Sequence, residues 1–394
     1  MLTHLQFAPA GFVGVVVLGI WLHLFFGRGW FWRVSRLDAD RAAPDPLADW
    51  PPVAAIVPAR NEAATIARVV ASLLAQDYPG RFSVILVDDH SEDATAAIAR
   101  ETANQHTATE RLQVIAAPDL PAGWTGKLWA LNAGVSSAEA GSETPAYLWL
   151  TDADVAHSPE TLRGLVARAE RDHLDLTSLM VLLQAKTLPE RFLIPAFLYF
   201  FLMLYPPKWT SDDDLATAGA AGGCILLRTE ALTRIGGLAA IRDAVIDDCA
   251  LARAVKHSRG RVWMGLTRRS SSLRNYGSAA EIRDLIARTA FTQLKYSAAL
   301  LAGTLLGMFF TYAAPVLLLF VHDPSARVLG AAAWLLMTLS FVPTLRFYRL
   351  SPLWAPFLPL TALFYTYATW VSALRYWLGH GGQWKGRAQA QRGA

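Results

Sequence analysis

Two carboxylates follow a short apolar segment near the middle of the chain. Residues 147–151 have the length and composition of a buried strand, and Asp152 and Asp154 come directly after it. Because side chains two positions apart in extended chain point to the same side, we expect these carboxylates to lie together. They suit Mg²⁺ or Mn²⁺, which proteins bind through one or two carboxylates plus substrate phosphates. Taken alone, the same acids could equally cap the helix predicted at residues 158–161.

Polar residues also follow two earlier predicted strands. Residues 53–57 and 82–87 are apolar runs, each followed by a helical pattern, and this βαβα order predicts a doubly wound parallel sheet. Pro58 is expected to stop the first strand. The polar clusters that follow the two strands contain Arg60, Glu62, Asp88 and Asp89. Each cluster alone is an ordinary turn or cap. Ligands bind beyond the carboxyl ends of parallel strands, so we expect both clusters and the Asp152–Asp154 pair to line one crevice.

Lys127 is the candidate for contacting phosphate. No Gly-x-Gly-x-x-Gly motif follows the first strand and no Gly-Lys-Ser/Thr loop occurs, so a dinucleotide site or a Walker-type site lacks its main support. Instead, a glycine-punctuated loop at residues 123–127 brings one cation to the start of a predicted helix, where backbone amides and the helix dipole also favour anions. The alternative is an ordinary surface lysine.

Two adjacent carboxylates, Asp247 and Asp248, open a later predicted helix. Acids at this position can simply cap the helix, because the macrodipole favours negative charge there. In a domain that also carries a metal-binding pair, Asp248 becomes a candidate general base for a hydroxyl nucleophile. A glycine-rich run at residues 218–223 precedes this helix and would let the backbone approach a ligand closely.

The composition predicts a soluble domain joined to membrane segments. The chain of 394 residues is 53% hydrophobic with 14 Trp, yet its middle part is charged. Net charge is only +4, and the Lys and Arg residues are not clustered with aromatic residues, which argues against nucleic acid as a partner. Cys224 and Cys249 lack metal-ligand spacing, so neither a disulfide framework nor a zinc site is expected.

Four segments are long and apolar enough to cross a bilayer, at residues 9–26, 300–321, 328–345 and 354–374. Basic residues follow the first segment at once, so the positive-inside tendency places the middle domain in the cytoplasm. The tail would then lie outside, against that tendency, unless the last segment is re-entrant. The expected units are an anchor (1–30), a linker (31–52), a catalytic domain (53–270), an interface-helix region (271–297), membrane helices (298–376) and a basic tail (377–394).

An aromatic and almost uncharged segment at residues 190–206 interrupts the catalytic domain. It is short for a membrane span and its flanks are polar. The pattern favours a helix lying in the cytoplasmic membrane interface, with a buried core helix as the alternative.

In combination, these motifs resemble family 2 glycosyltransferases with the GT-A fold, an α/β Rossmann-like architecture. The matching segments are residues 56–62, 86–93, 151–154 and 246–248, in the expected order. Further segments look like the hopene-associated glycosyltransferases of bacterial hopanoid gene clusters. These segments are 50–51, 123–127, 200–201, 204–206, 221–224, 246–252, Gln293 and 296–297. The resemblance implies inverting transfer of a sugar from a nucleotide-diphosphate donor, expected to be UDP-linked, to a lipid acceptor, expected to be a hopanoid, at the bacterial inner membrane.

The resemblance also implies roles for single residues. The nucleotide pocket would be lined by Pro58, Arg60, Glu62, Asp88 and Asp89, with Asp89 near the base. Asp152 and Asp154 would hold a divalent metal with the diphosphate, Asp154 as the direct ligand, and Asp248 would be the base, with Asp247 beside it.

The chain departs from the family pattern at one place. Processive synthases usually carry Gln-x-x-Arg-Trp after the base, whereas here Gln293 is followed by Leu-Lys-Tyr-Ser. This departure weakens a polymer-synthase interpretation. Arg288 or Lys295 could contact the diphosphate instead, or either could be a cation at the membrane interface. The alternatives that remain are transfer to polyprenyl phosphate or a polysaccharide, and a non-catalytic membrane scaffold with a GT-A shell.

Overall fold

The computed structural model describes residues 9–37, 39–41, 47–379, 383–384 and 387–388. The first eight residues, part of the predicted linker and most of the predicted tail therefore lie outside the described residues.

A mixed sheet of eight strands forms the centre of the middle domain. The strands are β1 (Val53–Ala59), β2 (Phe82–Asp88), β3 (Leu112–Ala116), β4 (Tyr147–Thr151), β5 (Val155–His157), β6 (Leu176–Leu182), β7 (Cys224–Arg228) and β8 (Val262–Ser272). Their order across the sheet is β3-β2-β1-β4-β7-β6-β8-β5. The predicted strands β1, β2 and β4 are parallel, as expected, and β3, which the sequence analysis did not predict, is parallel to β2. In contrast, β7 runs antiparallel to β4 and β6, and β5 runs antiparallel to β8.

Some helices connect the strands and cover both faces of the sheet, and others precede β1 or follow β8 in the chain. They are α1 (Pro9–Leu22), α2 (Ile66–Leu74), α3 (Thr95–Gln105), α4 (Gly126–Glu139), α5 (Thr161–Arg171), α6 (Leu188–Leu204), α7 (Pro207–Thr210), α8 (Thr229–Arg234), α9 (Asp247–His257), α10 (Ala279–Ala287), α11 (Ala290–Gln293), α12 (Ala298–Met308), α13 (Ala314–Leu317), α14 (Pro324–Phe347) and α15 (Leu358–Trp377). Every residue of β1 is buried. Alternate β1 residues belong to two separate cores, one shared with α2 and one with α4, which is why this strand is apolar without alternation.

Pro58 does not end the first strand, contrary to the expectation from the sequence. β1 continues to Ala59, and Pro58 lies opposite Val87 of β2. The pairing of β1 with β4 ends at Ile56. Pro58 therefore lies where β1 has a partner on one side only, and a residue without an N–H is tolerated there.

Within the described residues, four helical segments are long and apolar enough to cross a membrane. They are Pro9–Gly27, Ala298–Phe320, Pro324–Phe347 and Pro352–Trp377. Their number and positions agree with the sequence prediction. The first segment is held against the C-terminal helices, and its Trp21 indole donates to the Thr311 carbonyl at 2.7 Å.

Helix α6 packs inside the helical bundle. Tyr199 on α6 is hydrogen-bonded to Ser340 of α14 at 2.7 Å, and Tyr365 of α15 donates to the Leu193 carbonyl at 3.0 Å. The N-terminus of α6 is fixed by the fully buried Glu190 carboxylate, which accepts backbone N–H groups of residues 186, 187 and 276. These contacts agree with the alternative of a buried helix, and its position relative to a membrane surface stays a prediction.

Candidate functional site

The loops after β1 and β2 are joined by hydrogen bonds. Asn61 adopts a left-handed conformation with φ 53°, which asparagine tolerates better than most residues. The Glu62 N–H donates to Thr95 Oγ1 at 2.8 Å, and the Arg60 guanidinium donates to the Asp89 carbonyl at 2.7 Å. The Asp89 side chain is only 1% exposed and lies 3.9 Å from Arg60. The two polar clusters predicted from the sequence therefore form one continuous rim.

Asp152 and Asp154 follow β4, where the chain turns into β5. Thr151, directly before the turn, donates to the Gly223 carbonyl at 3.0 Å and is hydrogen-bonded to His157 Nε2 at 2.8 Å. Ala153 is buried between the two acids. Both carboxylates line the same cavity, because the backbone on each side of them is held by β4 and β5.

Lys127 lies in the first turn of α4 and reaches two of the predicted carboxylates. Its Nζ is 2.9 Å from Asp152 Oδ1 and 3.2 Å from Asp247 Oδ2, and its side chain is 16% exposed. Burial alone would lower the pKa of Lys127, but the carboxylates of Asp152, Asp247 and Asp248 outweigh burial and raise this pKa. Lys127 is therefore a permanent cation within an acidic cluster, and not an ordinary surface lysine.

Asp248 is held by backbone N–H groups at the N-terminus of α9. Gly222 donates to Oδ2 at 2.8 Å, and Cys249 donates to Oδ1 at 2.7 Å. Burial and the neighbouring Asp247 raise the pKa of Asp248 to about 6, against the opposing effect of Lys127 and the two N–H donors. A carboxylate with a pKa in this range is an effective general base near neutral pH.

A cavity of about 1090 Å³ connects the predicted site residues. The predicted residues that line it are Pro58, Glu62, Lys127, Asp152, Asp154, Asp247, Asp248 and Arg288. Arg60, Asp88 and Asp89 were also predicted from the sequence, but they belong to the adjoining rim and do not line this cavity. The structure thus brings together residues from five separate parts of the chain.

The cavity extends from the carboxylates into the helical bundle. Its lining there is mostly apolar and aromatic and comes mainly from α6, α12 and α15, with the polar side chains of Thr304, Thr369 and Arg375 among it. Representative side chains are Phe197, Phe201, Leu204, Met308 and Tyr365. One continuous space therefore has charged walls at the sheet and mostly apolar walls between α6 and two of the helical segments that are long enough to cross a membrane.

Three cavity residues had no predicted role. The Gly222 N–H holds the Asp248 carboxylate, and only the glycine-rich run at residues 218–223 hinted at such a close backbone approach. Tyr205 and Gln293 line the cavity and are hydrogen-bonded to each other. Both lie in segments that carry the family resemblance, but nothing in either segment indicated that the two meet.

The donor set around Asp152 and Asp154 fits a hard divalent cation that is shared with a substrate. Among the residues that the structure describes, no group of three or more His, Cys, Asp or Glu residues could hold a metal by itself. Two carboxylates facing one cavity still match the usual Mg²⁺ pattern, in which protein carboxylates provide part of the shell and phosphate oxygens and water provide the rest.

Residues 54–236 match the model of the family described as glycosyl transferase family 2. These residues form a family 2 glycosyltransferase domain, and the protein is a glycosyltransferase. No curated protein sequence matches the chain significantly.

Among solved structures, the glycosyltransferase is similar to mannosyltransferase PcManGT from Pyrobaculum calidifontis in complex with GDP-Man and Mn²⁺. The two are 18% identical with a TM-score of 0.52, over 93% of this chain and 99% of that chain. S. aureus TarS 1–349 in complex with UDP-GlcNAc is 17% identical with a TM-score of 0.39, over 83% of this chain and 92% of that chain. The likeness to PcManGT shows the shared GT-A fold.

Proposed function

We propose that this glycosyltransferase moves a sugar from a nucleotide diphosphate, expected to be UDP, to the hydroxyl of a membrane lipid, with inversion at the anomeric carbon. The expected acceptor is a hopanoid or a related polycyclic lipid. One observation carries the proposal: the cavity beside Asp152 and Asp248 continues without interruption into an apolar space among the helices. A soluble acceptor would have no use for that apolar extension.

The residues at the charged end suit the two halves of this reaction. Asp248, held by the Gly222 and Cys249 amides, would take the proton of the acceptor hydroxyl as the oxygen attacks the anomeric carbon. Lys127 would stabilise the charge that develops on the departing diphosphate from its position beside Asp152 and Asp247. Because nucleophile and leaving group lie on opposite faces of the sugar, the configuration inverts.

Asp152 and Asp154 would hold a divalent cation, with Asp154 as the direct ligand, and Mn²⁺ is present in the PcManGT structure. When bound, the cation supplies positive charge that stabilises the leaving diphosphate. Pro58, Arg60, Glu62, Asp88 and Asp89 would surround the nucleotide, on the rim next to this pair. We place the catalytic domain in the cytoplasm, at the bacterial inner membrane.

The second candidate acceptor is a polyprenyl phosphate. Arg274 and Arg288 also line the cavity and provide cations that a phosphate would need. A phosphate is already ionised at neutral pH and needs no base, whereas a hydroxyl does. The dependence of transfer on Asp248 therefore separates the two acceptors.

The test compares lipid extracts from a deletion strain carrying the wild type, Asp248→Asn or Asp243→Asn. Asp243 is exposed just before α9 and provides the same chemical change outside the cavity. We expect a lipid with one added sugar mass in the wild type and in Asp243→Asn. In the purified enzyme, Asp248→Asn should lower the transfer rate by about 100- to 10,000-fold, the usual contribution of a general base. Full activity in Asp248→Asn would favour the polyprenyl phosphate, and identical lipids in all strains would refute the hopanoid acceptor.

A further inference from the structure

Tyr205 and Gln293 are 88 positions apart in the chain but meet in the cavity. The Tyr205 hydroxyl oxygen lies 2.9 Å from Gln293 Oε1 and 2.7 Å from Nε2. Tyr205 follows the last residue of α6, and Gln293 is the last residue of α11. The reaction described above assigns no role to either residue.

This pair lies where the charged part of the cavity becomes apolar. On one side, the Tyr205 hydroxyl contacts the thiol of Cys249, the residue next to Asp248. On the other side, the Tyr205 ring packs against Phe201, with the ring centres 5.2 Å apart. A Cβ at position 219 would lie 2.8 Å from the Tyr205 ring, so Gly219 is the residue that lets the ring sit there. The phenol is therefore fixed between the base and the apolar walls.

The chemistry of the pair matches an alcohol better than an anion. A phenol and a primary amide each donate and accept hydrogen bonds, and neither carries a charge. An alcohol hydroxyl also donates and accepts, so it can replace one half of the existing Tyr205–Gln293 contact without leaving a buried polar atom unpaired. A phosphate would need cationic partners, which the pair does not provide.

We propose that Tyr205 and Gln293 bind the hydroxyl-bearing end of the lipid acceptor and position it for Asp248, and so select alcohols over phosphates. This inference rests on the proposed function. The pair would determine where the acceptor oxygen lies, and it includes none of the residues assigned to the sugar donor.

The experiment uses the full-length enzyme in detergent micelles, with a hopanoid polyol, undecaprenyl phosphate or water alone as acceptor. The donor is the nucleotide sugar that the wild type hydrolyses. Tyr205→Phe and Gln293→Leu each remove one partner but keep the size of the side chain close to that of the original residue. Loss of one such hydrogen bond should raise the KM for the polyol about tenfold in each variant. The rate at which water hydrolyses the donor should stay unchanged in both variants, whereas a general structural defect would lower this rate as well.

Tyr296→Phe is the matched control, because it removes the same hydroxyl at a tyrosine that stacks on Tyr376 and does not line the cavity. It should keep the wild-type KM. If the wild type glycosylates the polyol and both pair variants keep its KM, the inference is overturned and the proposed function stands. If the wild type hydrolyses the donor but glycosylates only undecaprenyl phosphate, the proposed alcohol acceptor itself is wrong.

Discussion

Replacement of Lys127 by methionine tests the charge balance of the site directly. Methionine keeps most of the length and apolar volume of lysine but removes the cation that contacts Asp152 and Asp247. Without this cation, the three carboxylates of Asp152, Asp247 and Asp248 would share a partly buried space and repel one another. In the wild type, Lys127 contacts Asp152 and Asp247 and favours the charged form of Asp248.

The size of the effect follows from the geometry. Two unit charges about 3 Å apart attract by roughly 5 kcal/mol at an effective dielectric constant of about 20, before the cost of burying the lysine is subtracted. Removing one partner of a buried ion pair costs about 3–5 kcal/mol. The Asp152 side chain is 35% exposed, and solvent therefore screens part of the interaction. We expect a loss of about 3 kcal/mol in unfolding free energy at pH 7.5, which corresponds to about 6–12 °C in Tm for a domain of roughly 200 residues.

The assay is thermal unfolding of the detergent-solubilised protein, followed by tryptophan fluorescence with and without Mn²⁺. Because a metal cation can replace the missing charge, Mn²⁺ should raise the Tm of Lys127→Met more than that of the wild type. Lys208→Met is the control, since Lys208 is exposed. Equal Tm values for Lys127→Met and Lys208→Met, with equal responses to Mn²⁺, would refute the assigned charge balance.

Three further changes can be tested by the same unfolding assay. Burial lowers the pKa of His157 to about 3, so this histidine binds a proton near pH 6.5 only in the unfolded chain. Acidification from neutral pH to pH 5 should therefore lower the unfolding free energy by about 2 kcal/mol, and His157→Gln should abolish this loss. Glu190→Gln weakens the acceptor of three backbone N–H groups and should lower the unfolding free energy by about 1–3 kcal/mol. An unchanged Tm would contradict this role of Glu190. Gly134→Ala places a methyl group against Ile56 and should lower the unfolding free energy by about 1–3 kcal/mol. In the control Gly164→Ala, the added methyl group meets nothing within 4 Å, so this change should be neutral or stabilising.

The parallel half of the sheet could be predicted because local sequence determines it. Strands such as β1 and β2 are buried on both faces, so each is a continuous apolar run that ends in polar residues at the same edge. The direction of β7 could not be predicted, because the long connection through α6 and α7 sets it and no local pattern records it. Composition also does not distinguish an interface helix from a buried one, since both are aromatic and uncharged, and it could not indicate the contacts that α6 makes with α14 and α15 through Tyr199 and Tyr365.

The candidate site shows the same limit. The sequence could place Asp152, Asp154 and Asp248 at strand ends and a helix start, because those positions follow from local patterns. It could not indicate that Lys127 joins Asp152 to Asp247, since this requires the ends of β4, α4 and α9 to meet. The Tyr205–Gln293 contact is even harder to predict, because each residue alone is an ordinary polar residue beside an apolar segment.

The two adjacent acids at the start of α9 differ in environment, and this difference explains why the site contains both. Asp247 forms an ion pair with Lys127 at 3.2 Å, whereas the Asp248 carboxylate accepts backbone N–H groups of Gly222 and Cys249. The negative charge on Asp247 raises the pKa of Asp248 and makes it a stronger acceptor of a proton from the substrate. In the proposed reaction, Asp247 therefore holds the cation that would serve the leaving group, and its own negative charge raises the pKa of the residue that would act as the base. Two like residues acquire separate tasks in the proposed reaction because one contacts a cation and the other accepts backbone N–H groups.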